Sequence, residues 1–285
     1  MRVILVPLGG EAYDRAALAA AYQIAGPFRA HIVGLFTRPD PVEGIGVFQG
    51  SPPEMVDRVM RVATNSWDDR AARARQAFDE ARTGADAALA DRPTGTDTVT
   101  ARWLAGVGAD EVLLAEHGRL ADLIVLAGSR SKGASVGLGD RFASALFHSA
   151  RPVLLVREEG VAGHPGTVAV AWNGSAEGTR ALSGALPLLM NTDRLHILTA
   201  ATPRTRVESG EALADYLGWH GLICEVHPMY PKEAVGPALL ARARELGARL
   251  LVMGGYGRRR MRERIFGGVT RHVIDHGDIP LLIAH

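Results

Sequence analysis

Cysteine is nearly absent from this chain of 285 residues. Cys224 stands alone, so neither an intrachain disulfide framework nor a cysteine-based zinc cluster can be built. In the alternating run LICEVH it reads as a small buried strand residue, which suits a reducing compartment. Net charge is also missing. The formal value is +1, so no overall field recruits nucleic acid or a membrane surface, and any basic effect has to be local. No apolar run approaches the roughly 18–20 residues of a membrane helix. The opening MRVILVPLGGEAYDR has too short an apolar stretch for a secretion signal. The expected location is therefore the cytoplasm, with no membrane partner. What is present is ordinary for a globular protein, with 47% apolar and 22% charged residues.

The chain repeats itself. RVILVPLGGEAYDRAALAAAYQIA is echoed from Thr167 by TVAVAWNGSAEGTRALSGALPLLM, and EHGRLADLIVLAGSR by ELGARLLVMGGYG. RPVLLV matches IPLLIA, and AGVGADEVLLA and EAVGPALLARA both read as helix starts. These matches divide the chain into residues 1–156, a Gly/Glu/His/Pro linker at 157–166, and residues 167–285. The first copy is longer because of residues 38–92, a loop followed by a long amphipathic helix. Each copy alternates β and α, and its strands are continuous apolar runs, as in parallel sheets covered on both faces. The expected fold class is α/β, as two tandem doubly wound domains of five parallel strands each. In the second copy, strands are expected near 167–172, 194–200, 222–227, 249–254 and 280–284. Helices are expected near 175–190, 206–219, 232–246 and 264–277.

The informative stretch is LLVMGGYGRRRMRERIFGGVTRHVI. Gly254, Gly257, Gly267 and Gly268 follow a strand end, where open parallel sheets bind ligands. Glycines let backbone approach an anion closely. The amides of Gly267, Gly268, Val269 and Thr270 open a helix, at the positive end of its dipole. An ordinary turn with close helix packing would explain any one of these glycines, but explains the set of four less well.

The spacing G-x2-G-x9-G, followed by a helix and a final Pro-led apolar strand, resembles the universal stress protein family across the whole chain, as two tandem domains. The resemblance implies an adenine nucleotide, ATP with or without Mg2+, bound in the second copy. It implies that Met253 and Gly254 lie near the ribose and base, and Gly257 near ribose and phosphates. Gly267, Gly268, Val269 and Thr270 would hold the phosphates. The family's first strand ends in an acidic residue near the nucleoside; here Ala171-Trp172-Asn173 puts an amide in its place. Gly268 stands where a hydroxyl is usual. The first copy departs everywhere, with Gly9, Ser131 and Arg141 at the corresponding positions. It is expected to bind nucleotide poorly or not at all, and the two copies are expected to pack as a pseudo-dimer within one chain. A homodimer of chains is a further assembly this reading allows.

Other chemistry finds less support. GSRSKGAS lacks the lysine placement of a P-loop, and GIGVFQG misses the spacing of a dinucleotide fingerprint by one residue. Five arginines between Arg258 and Arg264 read as a solvated loop or as phosphate clamps. His272 and His276 lie four apart without an evident third ligand, so no metal site is expected. Trp172 is either core or a platform for a base. No nucleophile–base pair is evident, and the expected activity is binding, with at most slow ATP hydrolysis. The rival reading is a nucleotide-independent protein that dimerises or docks partners.

Overall fold

A computed structural model of the chain describes residues 1–40, 52–93, 95, 97–128, 139–157, 166–202, 205, 207–232, 234–255 and 268–285. The loop expected at 40–53 therefore lies almost wholly outside the described residues. So do Ser131, Gly257, Gly267 and the arginines 258–264.

The first half runs β1 (Val3–Leu8), α1 (Asp14–Phe28), β2 (His31–Arg38), α2 (Pro53–Gly84), β3 (Ala88–Leu89) and β4 (Thr100–Val107), then α3 (Asp110–Arg119), β5 (Leu123–Gly128), α4 (Gly139–His148) and β6 (Val153–Arg157). The second half runs β7 (Thr167–Ala171), α5 (Ala176–Leu189), β8 (Arg194–Ala200), α6 (Ser209–Gly218), β9 (Cys224–Met229), α7 (Val235–Glu245), β10 (Leu250–Gly254), α8 (Gly268–His276) and β11 (Leu281–Ala284).

Among the described residues, eleven strands form one sheet, in the order β3-β4-β2-β1-β5-β6-β11-β10-β7-β8-β9. Outward from the centre, the second half reads fifth, fourth, first, second and third strand of its copy, and the first half reads the same once the two-residue β3 at its outer edge is left out of the count. The repeat seen in the sequence is thus a repeat of topology. Pairing is parallel within each half. The halves meet where β6 pairs antiparallel with β11, Leu281 facing Leu155 and Ile283 facing Val153. The central strands are buried along their length, which is why they read as unbroken apolar runs. Two cores lie on opposite faces of the sheet. One takes side chains from α1, α2, α5 and α6, the other from α3, α4, α7 and α8, and each continues across the seam.

The two expected parallel sheets join through their last strands, β6 beside β11, and the exposed two-residue strand β3 adds a further edge to the first. The structure corrects the reading in two places. AGVGADEVLLA does not begin as helix, because Ala105–Val107 complete β4; Gly108 at φ +140° ends the strand and α3 starts at Asp110. Arg157, expected in the linker, is the last residue of β6 and is buried. Its Nε donates to the Gly277 carbonyl at 3.2 Å, and its Nη2 to that of Ile274. A cation of the first half thereby caps the negative end of α8 in the second.

Candidate functional site

In both halves the strand order reverses between the first and fourth strands, at β1/β5 and at β7/β10. Ligands of open α/β sheets bind at the carboxyl ends of the strands that flank such a reversal.

At the second half's reversal, β7 ends at Ala171 and the chain turns through Trp172, Asn173 and Gly174 into α5. The turn is built by local polar bonds. Asn173 Oδ1 accepts from the Ser175 amide at 3.1 Å, and Ser175 Oγ accepts from the Gly178 amide at 3.0 Å as the N-cap of α5. Gly174 at φ +69° completes it. Asn173 is exposed, and its side-chain amide hydrogens meet no acceptor among the described residues. Trp172 is half-buried against the core on the α5 side; its Nε1 is buried with no hydrogen-bond partner among the described residues.

Beside this turn lies the end of β10. Met253 is buried, and Gly254 has the closest packing in the site. A Cβ on Gly254 would lie 2.6 Å from the Glu177 carbonyl carbon and 2.8 Å from Gly178 Cα. Gly254 therefore lets strand β10 press against the first turn of α5, which is a packing role within the protein itself. Gly178 and the buried Glu177 belong to the same junction, while Gly255 packs against Ile283 of β11; the sequence reading singles out none of the three. The signal was there in Asn-Gly-Ser-Ala-Glu-Gly, a cap followed by a glycine one turn on.

The third component is the start of α8. Gly268 is exposed, and a Cβ there would meet nothing within 4 Å among the described residues. Val269 is partly buried and packs against the core, and Thr270 is buried. Among the described residues, Gly268 is the most exposed of these three. The structure thus brings together Ala171, Trp172, Asn173, Met253 and Gly254 at one sheet edge. Gly268, Val269 and Thr270 open the helix that follows β10.

The first half treats the same place differently. After β1, the Asp14 carboxylate accepts from the amides of Gly9 (3.0 Å), Gly10 (2.7 Å) and Glu11 (3.2 Å), so the chain's own anion fills the amide nest. Burial raises the Asp14 pKa, against the lowering effect of those amides and of Arg141. Arg70 Nε donates to the Gly9 carbonyl at 2.8 Å and Arg73 Nε to that of Gly10 at 3.0 Å, both from α2. A Cβ on Gly10 would lie 2.8 Å from Arg70 Cα. Arg141 reaches over Gly9 and is paired with Asp110. The inserted helix α2 and Arg141 therefore occupy the mouth of the first half's strand reversal. The cavity left among Pro7, Tyr13, Asp14, Leu126 and Arg141 is only about 30 Å³.

His272 and His276 stack at 4.2 Å, and His276 Nδ1 lies 3.2 Å from the His272 carbonyl. No third ligand joins them among the described residues. Cys224 is half-buried in β9, its thiol pushed up to about 11 by burial, which makes it unreactive. No helix among the described residues is long and apolar enough to cross a membrane.

Residues 232–285, which hold α7, β10, α8 and β11, match the model of the universal stress protein family. Among solved structures, a universal stress protein from Archaeoglobus fulgidus DSM 4304 is similar over 99% of this chain and 97% of its own, at 17% identity and a TM-score of 0.71. A functionally unknown protein, PA1789, from Pseudomonas aeruginosa PAO1 covers 100% of this chain and 92% of its own, at 16% identity and a TM-score of 0.58. A universal stress protein in complex with cAMP covers 55% of this chain and 98% of its own, at 18% identity and a TM-score of 0.31. No curated protein matches the sequence.

Proposed function

We propose that this chain, whose residues 232–285 carry universal stress protein sequence and whose whole length takes that fold, binds one adenine nucleotide, ATP, in its second half. The observation that carries the reading is the asymmetry between the two strand reversals. After β1 the amide nest is filled by Asp14 and covered by Arg70, Arg73 and Arg141. In the second half, a side chain on Gly174 after β7 or on Gly268 at the start of α8 would meet nothing within 4 Å among the described residues. A free helix start suits phosphate oxygens through its unpaired amides and the dipole.

In this reading Gly268 and Val269 donate backbone amides to the phosphates, with Gly257 and Gly267 completing the loop between β10 and α8. Asn173 offers its amide hydrogens to the nucleoside, and Ala171, Met253 and Gly254 shape the floor. Asn173 supplies no carboxylate, so any Mg2+ would be held chiefly by the phosphates. Thr270, being buried, contributes through the helix and not through its hydroxyl. A division of the chain into two domains, with Arg157 in the first, and a cytoplasmic location belong to the same proposal. The protein acts as a binding and signalling module, with at most slow hydrolysis.

The alternative, a partner-docking protein without nucleotide, is favoured by one observation: Asn173 Oδ1 is already spent on its own turn. Nucleotide released from gently purified protein and identified by mass spectrometry separates the two. ATP or ADP near one per chain is expected. Protein free of nucleotide that also takes up none at millimolar ATP would support the alternative.

A further inference from the structure

Adjacent strands β8 and β9 carry three metal-ligating side chains on one face. His196 pairs in register with Glu225, and His227 lies two residues further along β9, so all three project from the same side of the sheet. Their ligand atoms converge. His196 Nδ1 lies 3.0 Å from His227 Nε2 and 3.4 Å from Glu225 Oε2, and His227 Nε2 lies 3.7 Å from Glu225 Oε2. Arms of about 2.0–2.1 Å from a tetrahedral ion would place their ends about 3.3–3.4 Å apart. The three separations scatter around that edge length. His196 is buried at 4% exposure, while the Glu225 side chain is 71% exposed, so the cluster has a closed floor and an open side.

We propose that His196, Glu225 and His227 form a site for a divalent transition-metal ion of zinc's class. Water would fill the fourth position from the side of Glu225. Two imidazoles and one carboxylate are the donor set such ions favour. The site is separate from the nucleotide-binding edge and does not depend on that reading.

Two neighbouring charges bear on it. Arg242, from α7, places Nη2 3.1 Å from His227 Nδ1 and donates to it, so the proton of the neutral ring sits on Nε2, facing His196. Metal binding at Nε2 moves that proton through solvent to Nδ1, and the ring keeps one proton throughout. Arg242 then retains Glu245, to which its Nη1 already donates at 3.0 Å. Arg242 thus opposes loading, and its removal should tighten binding.

The rival account is a histidine pair that merely satisfies itself by hydrogen bonding. The experiment uses the full-length, untagged protein, stripped with chelator and dialysed against zinc or cobalt(II). One ion per chain is expected after gel filtration. Cobalt should give the intense visible bands of a four-coordinate ion, and zinc should raise the melting temperature. His227→Gln should weaken binding at least about tenfold, the scale lost even with an outer partner. It should also abolish the zinc-induced rise in melting temperature. Arg242→Ala should bind more tightly, and His272→Gln with His276→Gln should leave the stoichiometry at one. Because His196 is buried and its variants can misfold, Glu225→Gln serves as the second ligand variant and should weaken binding in a fully folded protein. No uptake by the native protein would overturn the proposal. So would uptake that survives His227→Gln but is lost with His272 and His276.

Discussion

Gly254 and Gly268 are both glycines of one motif, yet they do different work. Gly254 faces the backbone of Glu177 and Gly178, which cannot move aside, so Gly254→Ala should cost about 1–3 kcal/mol of stability through overpacking. A side chain on Gly268 would meet nothing within 4 Å among the described residues, so Gly268→Val should leave stability within about 0.5 kcal/mol. If its amide holds a phosphate oxygen, the added side chain should nevertheless weaken ATP binding at least about tenfold, since a charge-assisted hydrogen bond contributes about 1.5–3 kcal/mol. Melting temperature and ATP affinity measured on both variants test this; unchanged affinity in folded Gly268→Val would remove Gly268 from the site. Asp14 yields a prediction with a definite sign. Its folded pKa lies above the ordinary 3.8, so between the two values the folded state binds more protons than the unfolded. Its contribution to stability is therefore fully present below 3.8 and declines as pH rises through the raised value. Asp14→Asn should remove that decline from the pH profile of denaturant unfolding. An unaltered profile would mean that burial does not dominate at this carboxyl.

At the scale of elements, the periodicity of the sequence was informative. The expected strands near 167–172, 194–200 and 249–254 are β7, β8 and β10, because buried parallel strands must be continuous apolar runs. The long amphipathic helix after the first loop is α2, Pro53–Gly84. Periodicity says that such a helix exists but not where it lies. Its role in covering Gly9 and Gly10 through Arg70 and Arg73 was not legible, although the loss of the glycine motif there was. The packing role of Gly254 was hidden for a similar reason, since its partner is another element's backbone. The convergence of His196 on Glu225 and His227 depends on the register between two strands, which no local pattern encodes. Arg157 looked like a linker residue because its partners, the last carbonyls of α8, lie far along the chain. Arg157→Ala should leave those carbonyls without their cation and cost about 1–3 kcal/mol. Hydrogen exchange should quicken in α8 more than in α5; equal protection in both would contradict the cap.

For the whole molecule, the shared sheet changes what the two copies mean. Strands β6 and β11 would each be a bare apolar edge in an isolated half, an invitation to unwanted pairing. Pairing them antiparallel buries Leu154, Leu155, Leu282 and Ile283 and relates the halves as a pseudo-dimer. One copy could then lose its ligand site without losing its place in the structure. In the first half a carboxylate and three arginines fill that place, and in the second no described side chain takes the position of Asp14. The account therefore stands or falls on number. Titration calorimetry of the intact, nucleotide-free protein with ATP should give one site per chain. A stoichiometry near two would contradict the closure of the first half, and no binding at millimolar ATP would contradict the site itself.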